Sequence, residues 1–212
     1  MFKKIIKLLL PPIIPYLYFK FFSSLRQSLF DGDDFLFKKS LEGIRIYGEY
    51  GCGLSSKWML KNTNCKVISV DSSKEWVKKI KTENKKYLSK LTINHIDLGE
   101  VRRWGFPLSY VKSNNFQDYT DYIWKQSVTP TFVLVDGRFR VCCFLTSLKF
   151  AEEGTKIIFD DYVNSPHYHF IEKYVSRINE CGRQCLFIVP AKNEIDMISL
   201  NKDIDAFRFV MD

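Results

Sequence analysis

Glu49, Gly51 and Gly53 stand in the order Glu-x-Gly-x-Gly, and Asp71 follows eighteen residues after Gly53. Residues of these types at this spacing suit a nucleoside-bearing cofactor. Positions without Cβ let a ligand come close to the backbone, and a helix starting just beyond them turns free N–H groups toward the same spot. An acid at the end of the next strand can accept hydrogen bonds from a ribose diol, and Ser72 beside Asp71 belongs to the same expected cofactor contact. The loop itself separates two kinds of cofactor. A dinucleotide fingerprint asks for a third glycine, for close helix packing around a pyrophosphate; this chain has Ser56 there. Glu49 would repel a pyrophosphate but would pair with the ammonium of a methionine moiety. S-adenosylmethionine is therefore expected, with a nicotinamide-dependent oxidoreductase of the same sheet class as the rival.

Further acids end the later predicted strands: Asp97, Asp136 and the pair Asp160-Asp161. Asp97 is expected near the adenine amino group. Asp136, Asp160 and Asp161 face the place where a transferred methyl would emerge, and three converging carboxylates repel one another unless a cation neutralises them. A hard divalent ion, most simply Mg²⁺, would do so and leave positions for substrate oxygens. It would also lower the pKa of a bound hydroxyl and orient it toward the sulfonium methyl. The alternative is that one aspartate caps a helix and another pairs with Arg138 or Arg140. His167 and His169, in Ser165-Pro166-His167-Tyr168-His169, are candidate bases, a surface or capping place being the other reading. Trp104 and Phe106 sit in a long non-periodic stretch, 97–115, where they would stack on a sugar or adenine, or pin the loop to the core.

These residues need a scaffold that brings strand ends together. Strands are expected at 44–48, 66–70, 91–96, 131–135, 156–159 and 184–189, and helices at 23–41, 55–61, 73–88, 116–124, 138–153 and 167–180. Apolar runs such as Phe132-Val133-Leu134-Val135 fit strands covered on both faces. The expected fold class is α/β: a Rossmann-like, doubly wound, mainly parallel seven-stranded sheet with helices on both faces. A closing antiparallel strand is expected from 197–200 or 206–211.

The 212 residues, 46% apolar and 16% aromatic, suit one globular domain. The net charge is +8, yet residues 1–30 hold five basic groups and no acid, so the body lacks the basic excess of a nucleic-acid binder. No nucleic-acid partner is expected. Six cysteines without a Cys-x-x-Cys pair suit a reducing cytoplasm. The apolar start is broken by Pro11, Pro12 and Pro15, too short a run to span a bilayer as a helix. Residues 1–30 are read as a separate basic apolar segment that either lies in the interface at the inner face of the membrane or caps the domain at 31–212 or a second subunit; a homo-oligomer stays open.

Glu49-x-Gly51-x-Gly53 with Asp71 resembles the first two motifs of class I S-adenosylmethionine-dependent methyltransferases, over roughly residues 42–212. Val133-Leu134-Val135-Asp136-Gly137-Arg138 and Ile157-Ile158-Phe159-Asp160-Asp161-Tyr162 look like the metal-binding half of macrocin-type sugar O-methyltransferases. The resemblance implies Mg²⁺ on Asp136, Asp160 and Asp161 and methylation of a sugar hydroxyl on a glycan or glycan precursor. That family often has Asp-Gly-Asp where this chain has Asp136-Gly137-Arg138. Arg138 and Arg140 are accordingly expected on the substrate, Arg138 through a phosphate or carboxylate, with Trp104 beside them. A methyltransferase-like scaffold without chemistry, organising glycan assembly through residues 1–30, is the non-enzyme alternative.

Overall fold

The computed structural model describes residues 29–30 and 34–212; apart from Leu29 and Phe30, the segment expected at 1–30 lies outside the described residues. A short helix α1 (Phe35–Ser40) leads into β1 (Ile46–Tyr50), α2 (Leu54–Asn62), β2 (Lys66–Asp71), α3 (Lys74–Glu83) and β3 (Leu91–His95). A small ribbon of β4 (Val101–Arg102) and β5 (Phe106–Pro107) follows, then α4 (Phe116–Asp121), β6 (Phe132–Val135), α5 (Arg140–Phe150) and β7 (Lys156–Phe159). The chain closes with β8 (Asn179–Cys181), β9 (Gln184–Ile188) and α6 (Met197–Phe207).

Seven strands form one sheet in the order β3-β2-β1-β6-β7-β9-β8. The first five of that order are parallel, and β9 runs antiparallel to both β7 and β8. Alternate residues of each central strand enter opposite cores. Phe132 and Leu134 join Leu36, Met59 and Ile80 of α1, α2 and α3 on one face. Val133 and Val135 join Phe116, Phe144 and Ile204 of α4, α5 and α6 on the other. This two-sided burial explains why the central strands are continuous apolar runs. The α/β sheet with helices on both faces is the expected one.

Two expectations fail in the last third of the chain. Residues 197–200 are not a strand but the start of α6, where Asp196 Oδ1 accepts the N–H groups of Ile198 and Ser199 at 3.0 and 3.1 Å; 206–211 run from its end into irregular chain. The antiparallel strand is β9 itself. Nor is 167–180 one helix: a 3₁₀ run over Pro166–Lys173 gives way to extended chain, and Ile178 N–H already donates to Leu186 C=O at 2.9 Å. Burial of Tyr168, Ile171 and Val175, three and four apart, imitates a helical stripe. Pairing of β8 with β9 requires the chain to be extended there.

Candidate active site

The sheet order reverses between β1 and β6, the switch point at whose carboxyl ends α/β sheets bind ligands. The two loops leaving these strands touch. A Cβ on Gly51, whose φ is +87°, would lie 2.7 Å from Asp136 C=O, and one on Gly137 would lie 2.8 Å from Gly51 N. Gly53 differs: a Cβ there would meet nothing within 4 Å, and Gly53 lines a cavity of about 950 Å³. Gly51, Gly53, Asp71 and Ser72 line one part of this cavity, Asp136, Arg138, Arg140 and Asp161 another, with Trp76, Trp104, Phe106 and Tyr168 as aromatic walls.

Glu49 is placed differently from expectation. Its carboxylate is fully buried, outside the cavity lining, and accepts the hydroxyls of Tyr47 and Ser55 at 2.8 Å each and that of Ser56 in a shorter bond. Burial pushes its pKa up, against the pull of those hydroxyls. Ser56 Oγ in turn accepts Gly53 N–H at 3.0 Å. Glu49 thus fixes the entry into α2 rather than facing a ligand.

Asp71 accepts Cys52 N–H at 2.7 Å and Ser73 N–H at 2.6 Å, so it braces the glycine loop while one edge faces the cavity. Burial raises its pKa, opposed by those two N–H groups. Ser72 Oγ donates to Gly105 C=O at 2.8 Å and so ties down the β4–β5 ribbon that carries Trp104. Asp97 is not in the cavity: it is exposed, accepts Gly99 N–H at 2.9 Å and pairs with Lys112 at 3.5 Å.

Asp136, Asp160 and Asp161 do converge, with carboxylate oxygens within 4.8 Å of one another. Two guanidinium groups interleave them. Arg140 donates to Asp136 Oδ1 at 3.2 Å, Asp161 Oδ2 at 3.0 Å, Asp160 C=O at 2.8 Å and Gly137 C=O at 3.1 Å. Arg183 reaches Asp160 Oδ2 at 2.6 Å and Asp161 Oδ1 at 3.2 Å, and Gln184 Nε2 donates to Asp160 Oδ1 at 3.0 Å. Arg140, expected on the substrate, is therefore engaged by the protein's own acids. Burial, then the charge of Asp160, pushes Asp136 up to about 8 against the pull of Arg140; burial likewise raises Asp160, opposed by Arg183.

Neither candidate histidine lines the cavity. His169 contacts Tyr162 C=O through Nε2 at 3.1 Å and Arg177 through Nδ1 at 3.1 Å; the His167 ring packs on Tyr168 at 4.1 Å. In the 3₁₀ run it is Tyr168, between them, that turns inward. Asp136 is left as the titratable group between the two halves. Arg102, Arg103, Tyr168 and Arg183 are cavity residues that the sequence reasoning passed over. For Arg183 the only local signal was Gly182 ahead of the apolar run Cys185-Leu186-Phe187-Ile188, a turn residue before a strand. Trp104, Phe139 and Asp161, the non-glycine residues with left-handed φ (67°, 54° and 58°) among the described ones, all lie at or beside this cavity. Such backbone costs of order 1 kcal/mol or more each and gathers at functional sites.

No protein-family model and no curated protein matches the chain. Solved structures do. A methyltransferase-like protein from Silicibacter pomeroyi is 28% identical, covering 80% of this chain and 90% of that one, with a TM-score of 0.69. A methyltransferase from Geobacter sulfurreducens shares 9% identity over 89% and 95% of the two chains, TM-score 0.51. A candidate caffeoyl-CoA O-methyltransferase from Staphylococcus aureus shares 10% over 81% and 90%, TM-score 0.52. The chain has the Rossmann-like α/β fold of these methyltransferase structures.

Proposed function

We propose that the protein is an S-adenosylmethionine-dependent methyltransferase acting on a hydroxyl of a sugar or glycan precursor. One observation carries the reading: a single cavity joins the Gly51–Gly53 loop and Asp71 to Asp136, so a cofactor on the first half would present its end to an acceptor beside the second. Its volume lies near the top of the roughly 300–1,000 Å³ typical of ligand pockets, room for a nucleoside and a small acceptor together. The methyltransferase-like neighbour at 28% identity supports the same reading. When bound, S-adenosylmethionine supplies an electrophilic methyl.

The chain's residues then have distinct tasks. Asp71 and the Gly53 backbone hold the nucleoside side, and the open space at Gly53 admits it. Asp136 accepts the hydroxyl proton as the acceptor oxygen attacks in line. Trp104, Phe106 and Tyr168 give flat walls for a sugar ring. Asp136, Asp160 and Asp161 already share the two fixed positive charges of Arg140 and Arg183, and a divalent ion among them would be repelled by both. These residues do not fit a resident ion, and no step is assigned to one.

The test is transfer of labelled methyl from S-adenosylmethionine to fractionated cell glycans, with and without a chelator. Label is expected in a glycan or sugar-nucleotide fraction, with rates within about twofold of each other. Absence of transfer to every fraction contradicts the activity; abolition by chelator and rescue by Mg²⁺ contradicts only the reading of the acid–arginine cluster.

A further inference from the structure

The arginines of the cavity fall into two groups. Arg140 and Arg183 are tied to the three aspartates. Arg102, Arg103 and Arg138 also line the cavity; among the described residues the close ion pairs to its aspartates are those of Arg140 and Arg183, while Arg138 acts on Asp71 and Asp212 only through its charge at longer range. Their positions are nevertheless set. The Arg102 and Arg138 guanidinium groups both lie by the Phe106 ring, at 4.1 and 6.0 Å, and that of Arg103 lies 4.9 Å from the Trp104 ring. Arg138 Nε is buried and has no hydrogen-bond partner. The ribbon bearing Arg102, Arg103 and Trp104 is anchored by Ser72 on Gly105 C=O, and Trp104 holds a left-handed backbone.

A buried guanidinium N–H without an acceptor among the described residues, in a cavity lined by two further arginines, is an incomplete arrangement. Resting on the methyltransferase reading, we infer that the acceptor carries a phosphate group, seated on Arg102, Arg103 and Arg138, while its hydroxyl points to Asp136. Guanidinium forks match phosphate oxygens bidentately. Three cations suit a group of charge near −2 better than a carboxylate of charge −1. The aromatic rings beside the arginines would lie against the sugar, so the class is a sugar phosphate or nucleotide-linked sugar.

Inorganic pyrophosphate is the probe, titrated by calorimetry into protein saturated with S-adenosylhomocysteine. Binding is expected, with Arg102→Gln and Arg138→Gln each weakening it about tenfold, the loss of one charge-assisted contact, and Arg138→Lys weakening it less. S-adenosylhomocysteine affinity should move less than about twofold. Should Arg138→Gln fail to fold, the pair Arg102→Gln with Arg103→Gln, both on exposed side chains, carries the test. Equal pyrophosphate affinity in the variants, no binding at all, or equal affinity for malonate overturns the phosphate assignment. So does a parallel loss of S-adenosylhomocysteine affinity, which would give the arginines to the cofactor's carboxylate. Failure of S-adenosylhomocysteine to bind the wild-type protein overturns the methyltransferase reading itself, and is seen before any variant is made.

Discussion

In the proposed transfer Asp136 is the base, and burial together with the charge of Asp160 pushes its pKa up to about 8. Transfer is therefore expected to rise with pH through that region, since only the carboxylate accepts a proton. Asp136→Asn should lower the rate about 100-fold or more and abolish this pH limb, while S-adenosylhomocysteine affinity stays within about twofold; an unchanged profile in the variant would remove Asp136 from the chemistry. Stability runs the other way. A carboxyl raised in the folded chain keeps a proton that the unfolded chain has released, from its ordinary value near ~4 up to about 8. Its contribution to folding is thus greatest at low pH and declines as pH climbs across that window. Asp136 and Asp160 were readable from sequence, because each follows an apolar run that had to be a strand; Asp97, read by the same rule, lies outside the cavity. Their partners were not: nothing in Glu49-x-Gly51-x-Gly53 shows that Tyr47, Ser55 and Ser56 satisfy Glu49 internally.

Three elements position these groups. Helix α2 is held at its start by Glu49 through Ser56, the β4–β5 ribbon by Ser72, and Arg183 is delivered by the hairpin turn between β8 and β9. That hairpin escaped sequence reading because β8 is only three residues, Asn179–Cys181, none of them fully buried, so it has no alternation to detect. The buried residues before it mimic a helix. Arg183 faces Asp160, whose carboxylate has no exposure to solvent. Arg183→Ala is expected to destabilise the fold by about 3–5 kcal/mol, because it leaves a buried carboxylate whose remaining direct side-chain partner is Gln184, Arg140 bonding the Asp160 carbonyl instead. Urea unfolding with the slope unchanged would show this as a lower midpoint; a loss below about 1 kcal/mol would mean that Asp160 is held by other means.

At the scale of the molecule, the order β3-β2-β1-β6-β7-β9-β8 brings the ends of five parallel strands to one rim, and that much follows from continuous apolar strands separated by helices. The three carboxylates met there as their strand positions required. The pairing of Arg140 with Asp136, four residues away, was one of the two sequence readings, whereas that of Arg183 with Asp160, 23 residues away, was hidden because only the fold closes such a separation. Among the described residues no helix is long and apolar enough to cross a membrane. The central claim, that the cavity beside Gly53 takes S-adenosylmethionine, is tested most directly by calorimetric titration of S-adenosylhomocysteine and of NADH into wild-type protein and Gly53→Leu, with circular dichroism confirming that the variant is folded. S-adenosylhomocysteine is expected to bind the wild type and NADH not to, and a leucine at this lining position is expected to weaken binding at least about tenfold. Preference for NADH, or equal S-adenosylhomocysteine affinity in a folded Gly53→Leu protein, would contradict it.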